Sequence, residues 1–143
     1  MTRYLVDTTV LSELVGVAPD AVVVEFLTPV ASNDLACSAI SRFEIERGLA
    51  LMPKGRRHQL YTDRYAALLA GLGAGIVPLD DRAASAAAKI ATSARATGLS
   101  LDDHLFDVLI AATASVHGFV VLTRNERQFR ATGVPFENPW TPR

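Results

Sequence analysis

The chain has 143 residues, half of them hydrophobic, which is enough apolar material for one domain with its own core. Its formal net charge of −1 excludes a general electrostatic attraction to nucleic acid or an acidic membrane. Cys37 is the only cysteine, which excludes an internal disulfide and a cysteine-based zinc site. No apolar run approaches the roughly 20 residues of a membrane span, and an aspartate at position 7 does not suit a signal peptide. We therefore expect a soluble, cytoplasmic protein.

The first half of the chain predicts two strands separated by helices. An apolar run from Tyr4 ends abruptly at the carboxylate of Asp7, and apolar residues with helical spacing follow it. The segment Ser41–Glu44 has the form of a capping box, in which a serine is followed three residues later by a glutamate. The predicted elements are a first strand up to Val6, helices at Val10–Val15 and Ala21–Leu27, a strand at Leu35–Ser38, and a helix from Ser41 to about Leu51.

The second half predicts three more strands, again separated by helices. Pro78 cannot donate to a strand ladder, so its strand is expected to lie at a sheet edge or to end there. Alternating strands and helices indicate an α/β fold with a parallel sheet of about five short strands, helices on both faces, and a single domain over residues 1–143. The predicted elements are helices at His58–Leu69, Arg82–Thr97 and Leu105–Val116, strands at Ile76–Leu79, Phe119–Leu122 and Val134–Phe136, and a short helical turn ending at Phe129.

Four polar residues occupy equivalent ends of these elements. Asp7 follows the first strand, Glu44 lies in the first turn of its predicted helix, Asp107 lies near the start of another helix, and Asn125 follows the Phe119–Leu122 strand. The carboxyl ends of parallel strands form a crevice that binds ligands, so all four can face one site. Alternatively, Asp7 and Glu44 cap helices, and Asp107 complements a helix dipole.

Three converging carboxylates would need a cation. Two of them about 4 Å apart repel by about 4 kcal/mol at an effective dielectric of about 20, and each raises the pKa of the other. Mg²⁺ or Mn²⁺ suits such a site, because both are hard ions that take oxygen ligands and keep positions open for water.

Five segments containing these residues resemble the signature of PIN-domain nucleases, in particular the VapC/FitB-like toxins of prokaryotic toxin–antitoxin pairs. The resemblance runs from near the first residue to the last few, in the family's order. It implies a PIN-like fold and a Mg²⁺- or Mn²⁺-dependent endoribonuclease, usually a homodimer, that acts on RNA and is inhibited by a cognate VapB-like antitoxin. The segments are Tyr4–Thr8, Phe43–Gly48, Asp107–Ala114, Val121–Asn125 and Asn138–Trp140.

By position, the resemblance assigns Asp7, Glu44 and Asp107 to the metal site and Asn125 to its fourth corner. Such a site supports metal-assisted hydrolysis of phosphodiester bonds, with Asp7 and Asp107 holding the ion while Glu44 binds metal or positions water. The expected supporting residues are Thr8 and Thr123, whose hydroxyls can hold the carboxylates, and Arg124, which can approach a phosphate or lie in solvent.

Three residues depart from the family's pattern. Thr9 stands where the family commonly has asparagine, Asn125 is neutral where some members have an acid, and Gln128 is an amide where asparagine-bearing members often have aspartate. Three acids still suffice for one divalent ion, with a second binding when substrate phosphate is present. The alternative function is a PIN-like module with weakened catalysis that acts by binding nucleic acid in complex with its antitoxin.

Overall fold

The structure is a computed structural model that describes residues 1–142. Five short parallel strands form its centre. Arg143, the last residue of the predicted domain, lies outside the described residues. The strands pair in the order β3-β2-β1-β4-β5. All four pairings are parallel, and the parallel sheet of about five strands predicted from the sequence is confirmed. In chain order they are β1 (Tyr4–Val6), β2 (Leu35–Ser38), β3 (Gly75–Val77), β4 (Val120–Leu122) and β5 (Phe136–Glu137).

Seven α-helices connect and flank these strands in residues 1–142. Single turns of 3-10 helix at Ser32–Asp34 and Asp102–His104 precede β2 and the sixth helix. The part of the chain that the structure describes contains no helix long and apolar enough to cross a membrane. The helices are α1 (Thr8–Leu14), α2 (Ala21–Leu27), α3 (Ala39–Leu51), α4 (Arg56–Ala70), α5 (Asp81–Ala96), α6 (Leu105–His117) and α7 (Glu126–Thr132).

Helix α3 begins earlier than predicted, with Ser38 and not Ser41 as its N-cap. The helix begins at Ala39, and its N-cap is Ser38, whose hydroxyl oxygen accepts a hydrogen bond from the Ser41 backbone N–H at 3.0 Å. Ser38 also has the extended backbone typical of an N-cap, with φ −83° and ψ 158°. Glu44 consequently lies in the second turn of α3 and not in the first, and its side chain does not cap the helix. The prediction that helix α3 starts at Ser41 is therefore wrong.

Smaller differences at the other boundaries follow from backbone hydrogen bonds. Strand β3 ends at Val77, just before Pro78, and lies at the sheet edge, as the missing N–H of that proline predicts. Phe119 is not part of β4, because its N–H closes the end of α6 on Ala114 O at 3.0 Å. Strand β5 begins at Phe136, two residues later than predicted, and α7 extends three residues beyond Phe129.

Strand β1 is buried on both faces of the sheet, which explains its unbroken apolar sequence. Tyr4 and Val6 point to one face and pack with residues of α1 and α2. Leu5 points to the other face and packs with residues of α6 and α7. Helices thus cover both faces, as predicted, and β1 is the central strand, with its carboxyl end between β2 and β4.

Candidate active site

Asp7 leaves the sheet at the carboxyl end of β1 and is only 2% exposed. Its Oδ1 accepts a hydrogen bond from the Thr8 backbone N–H at 2.8 Å, so Asp7 caps α1. Its Oδ2 accepts from the hydroxyls of Thr123 at 2.7 Å and Thr9 at 3.0 Å. Burial raises the pKa of Asp7, and these hydrogen bonds oppose the rise. The capping and site interpretations of Asp7 are therefore compatible: one oxygen caps α1, and the other is held by two hydroxyls.

Thr123 reaches Asp7 because of the strand register. Val6 of β1 pairs with Leu122 of β4, so the next residues, Asp7 and Thr123, leave the same edge of the sheet side by side. The Thr123 hydroxyl donates to Asp7 and accepts from the Asn125 backbone N–H at 3.0 Å. The end of β4 is thereby tied to the end of β1, and the Thr123 hydroxyl holds one oxygen of the Asp7 carboxylate.

Glu44 is half-buried and is held by the first residue of α1. The Thr8 hydroxyl donates to Glu44 Oε1 at 2.8 Å and lies 2.9 Å from the hydroxyl of buried Ser41. Burial raises the pKa of Glu44 and the negative charge of Asp7 raises it further, while the Thr8 hydrogen bond and the charge of Arg47 oppose the rise. Glu44 and Asp7 thus act on one another across α1 and α3.

Asp107, in the first turn of α6, completes the acidic group. Burial, followed by the negative charge of Asp7, raises the pKa of Asp107 to about 6, and Glu44 adds to this. His104, whose Nδ1 lies 3.9 Å from Asp107 Oδ2, and the Asn125 side chain lower it. The charges of both other carboxylates therefore raise the pKa of Asp107, although the three residues belong to elements far apart in the sequence.

Asn125 occupies the N-cap position of α7, but its side chain makes no capping hydrogen bond. The side chain interacts with the Asp107 carboxylate, lowering its pKa and so favouring its charged form. The amide thus faces the acidic group. Gln128 is elsewhere: it lines a separate cavity of about 170 Å³ with His104 and Arg127.

Thr9 and Arg124 connect the acidic group to the chain's last turn. Thr9 donates to Asp7, and its hydroxyl oxygen also accepts from the Arg124 backbone N–H at 3.3 Å. The Arg124 guanidinium is exposed and lies 4.6 Å from the centre of the Trp140 ring. Trp140 is itself placed by its N–H bond to Asn138 Oδ1 at 2.9 Å. The hydroxyl of Thr9 therefore helps to orient the Asp7 carboxylate and is tied to the backbone of Arg124.

Sequence reasoning missed Ser41 and Arg47, both of which lie three residues from Glu44 along α3. That spacing places side chains on the same helical face, so it was the available signal. Ser41 supports the Thr8 hydroxyl, and Arg47 supplies a positive charge beside Glu44.

The donor chemistry of this group suits a hard divalent cation. Asp7, Glu44 and Asp107 offer carboxylate oxygens. Burial raises the pKa of all three, and repulsion by the other acids, which a cation would relieve, adds to the rise for Glu44 and Asp107. In residues 1–142, however, no three His, Cys, Asp or Glu side chains stand as a ready metal site. Thr8, Thr9 and Thr123 engage the oxygens of Glu44 and Asp7. The acids are therefore chemically suited to a divalent ion without being preassembled around one.

The fold and this site define an α/β protein with an acidic group at the carboxyl edge of a parallel sheet. The chain belongs to the PIN-domain family, whose profile, described as "PIN domain", matches residues 4–134. The family and fold predicted from the sequence are thereby confirmed.

Relatives and solved structures place the chain among the VapC/FitB-like members. It is 35% identical to the VapC ribonuclease Y4jK of Sinorhizobium fredii, over 96% of this chain and 98% of the relative. It is 34% identical to the toxin FitB of Neisseria gonorrhoeae, over 95% and 97%. A structure of FitAB bound to an IR36 DNA fragment is similar with a TM-score of 0.89 and 32% identity, over 98% of this chain and 97% of that one. The structure of FitAcB from Neisseria gonorrhoeae gives a TM-score of 0.87 and 33% identity, over 96% and 98%.

Proposed function

We propose that this protein is a Mg²⁺- or Mn²⁺-dependent endoribonuclease, the toxin of a VapBC-like toxin–antitoxin pair. One observation carries the proposal: burial, then the charge of Asp7 and that of Glu44, raise the pKa of Asp107 to about 6, which supports a shared site for the three carboxylates. The name of one relative, VapC ribonuclease, supports ribonuclease activity, and that of another, toxin FitB, supports the toxin role. Hydrolysis of RNA places the action in the cytoplasm, where buried Cys37 would also remain a thiol.

Asp7, Glu44 and Asp107 would hold the divalent ion, which supplies positive charge at the phosphate and lowers the pKa of water. Thr123 and Thr9 fix Asp7 by donating to one of its oxygens, and they favour its charged form. Glu44, held at Oε1 by Thr8, would bind the ion or position the attacking water. In the reaction the water oxygen bonds to phosphorus, the ester P–O bond breaks, and the leaving oxygen gains a proton.

Cleavage assays with RNA and DNA in Mg²⁺, Mn²⁺ or EDTA test this function. We expect RNA cleavage in either metal, none in EDTA, and none from Asp7→Asn, which keeps the side-chain volume and removes the charge. The matched control is Asp63→Asn, since Asp63 is exposed on α4. RNA binding without metal-dependent cleavage would instead favour the module with weakened catalysis.

A groove on this chain, next to the acidic residues, could receive a segment of the proposed antitoxin. A cavity of about 340 Å³ lies between α1, α3 and α4 and reaches both Thr8 and Glu44. Its walls are largely apolar and aromatic, which suits a partner segment with apolar anchors. The similar structures of FitAB and FitAcB, which contain more than the toxin FitB, support a cognate VapB-like antitoxin as the partner. A homodimer of this chain is a further part of the proposal. Light scattering of the protein with and without the antitoxin tests both assemblies. The lining residues are Thr8, Ser12, Val15, Glu44, Ile45, Gly48, Leu49, Met52, Arg57, Tyr61 and Tyr65.

A further inference from the structure

Two phenylalanines and an arginine form an exposed cluster on α3 and α6, here called the aromatic platform. It consists of Phe43, Phe106 and Arg47. The ring centroids of Phe43 and Phe106 lie 5.7 Å apart at an interplanar angle of 76°. The guanidinium carbon of Arg47 lies 5.4 Å from the centre of the Phe43 ring and 5.6 Å from that of Phe106. Phe43 is 49% exposed, so a large part of its ring is open to solvent.

The aromatic platform borders the acidic group on two sides. Phe43 directly precedes Glu44 in α3, and Phe106 directly precedes Asp107 in α6. Arg47 connects the two features, because its charge lowers the pKa of Glu44 while its guanidinium lies over both rings. A nucleotide whose phosphate reached Asp107 and Glu44 would have its neighbour within reach of these rings.

The Arg47 guanidinium is not occupied by the neighbouring acid on α3 and can therefore contact a nucleotide. The nearby acid Glu46 pairs with Arg42, at 3.2 Å, and not with Arg47. Within residues 1–142 Arg47 has no carboxylate within 4.0 Å. An exposed phenylalanine beside a guanidinium with no close carboxylate presents an open aromatic face and a positive charge together. Those are the two groups on which unpaired RNA bases stack.

We propose that the aromatic platform is a base-stacking site for single-stranded RNA. An unpaired base next to the scissile phosphate stacks on Phe43, and Arg47 contacts the backbone of the same nucleotide. Phe106 holds the Phe43 ring in place through its edge-to-face contact. The site selects unpaired RNA, because a base inside a duplex has no free face to offer. This assignment rests on the proposed function, since it places the substrate of that nuclease site.

The test uses the full chain carrying Asp7→Asn, so that RNA is bound without being cleaved. The probes are single-stranded RNA oligonucleotides carrying 2-aminopurine at successive positions, because stacking quenches the fluorescence of that base. We expect Phe43→Leu, which keeps an apolar side chain without a π-face, to weaken RNA binding about tenfold and to abolish quenching at one position. Phe43→Trp should retain both. Leu51→Ala, at a 78% exposed position of the same helix, should change neither.

The outcomes separate this inference from its alternatives. If Phe43→Leu binds and quenches like the parent, or if the parent binds no RNA, the aromatic platform is not a stacking site. If light scattering shows that Phe43→Ala separates a dimer that Phe43→Leu preserves, and RNA binding is unchanged in both, the face docks a second copy and the inference is overturned. If Phe43 governs RNA binding but the protein with Asp7 intact never cleaves RNA, stacking stands and the nuclease proposal fails.

Discussion

The Thr8 hydroxyl donates a hydrogen bond to Glu44 Oε1 over 2.8 Å and so joins two residues 36 positions apart. Thr8 is the first residue of α1, directly after Asp7, and Glu44 lies in the second turn of α3. Strand β1 is central in the sheet, which fixes where Thr8 stands, and the Ser38 cap sets the rotation of α3 that brings Glu44 to it. The hydrogen bond therefore determines how one acid of the site is oriented.

Thr8→Val is expected to reduce RNA cleavage about tenfold while leaving the fold intact. Valine has nearly the same shape but cannot donate, so Glu44 loses the hydrogen bond that favours its charged form, and its pKa rises further. Thr8→Ser keeps the hydroxyl and should retain most activity. Cleavage rates from pH 5 to pH 8 check this: the valine variant should need a higher pH for its maximal rate. Equal profiles for the two variants would show that Thr8 acts only in packing.

Sequence patterns placed Asp7 and Asp107 at the element ends where the structure has them, because each residue adjoins a strong apolar pattern. Asp7 ends an apolar run and Asp107 heads an apolar helix, and both patterns survive in the structure as the end of β1 and the start of α6. The predicted start of α3 was wrong because Ser38 and Ser41, both serines, are equally suitable as N-caps by residue type. Only tertiary contacts decide between them, since Ser41 is buried beside Thr8.

Other features could not be read from the sequence because they depend on approach between distant elements. Thr9 stood out only as a departure from the family, yet its hydroxyl both orients Asp7 and receives the Arg124 backbone N–H. Phe43 and Phe106 come from helices separated by more than fifty residues, so no spacing reveals their contact. Side-chain networks of this kind emerge only once the strand order is known.

In EDTA, the protein is expected to become less stable as pH rises from about 4.5 to about 6.5. Asp107 has its pKa raised from 3.8 to about 6 in the folded chain, so between these values the native state binds more protons than the unfolded state. Stability then falls with rising pH, and the raised pKa values of Asp7 and Glu44 act in the same direction.

Asp107→Asn should flatten this pH dependence and raise the metal-free Tm at pH 7, because it removes a repelling charge without opening a cavity. Allowing for solvent screening, the gain is about 1 kcal/mol, or a few degrees. The same variant should lose metal-dependent cleavage. Melting curves from pH 4.5 to pH 7.5 in EDTA provide the measurement, with Asp63→Asn as the exposed control. Parallel curves for wild type and Asp107→Asn would refute the assigned cause.

The antitoxin is expected to compete with divalent ions for the acidic group. A site with three repelling carboxylates can take a guanidinium or ammonium group in place of metal, and a guanidinium can pair bidentately. The groove that ends at Thr8 and Glu44 would lead such a side chain there. Complex formation should then weaken metal binding, and by linkage metal should weaken the complex by the same factor. Calorimetric titration of Mn²⁺ into free and complexed protein measures this factor; equal affinities would mean that the antitoxin inhibits from elsewhere.

Asn125→Asp and Asn125→Ala should change metal binding in opposite directions. The aspartate adds a fourth carboxylate beside Asp107 and should raise affinity for Mg²⁺, whereas alanine removes only the amide that favours the charged form of Asp107. In EDTA the aspartate variant should melt lower by a few degrees, since a further repulsion of about 1–2 kcal/mol is expected at a partly solvated site. Added Mg²⁺ should restore its stability, because the ion binds the native state.

Asparagine at this position makes no side-chain capping bond to α7, so alanine should cost less than the roughly 1 kcal/mol typical of a lost cap. Melting curves of the three proteins in EDTA and in a Mg²⁺ series distinguish the two roles: if alanine alone destabilises and aspartate behaves as wild type, Asn125 is a helix cap and not the fourth corner of the site.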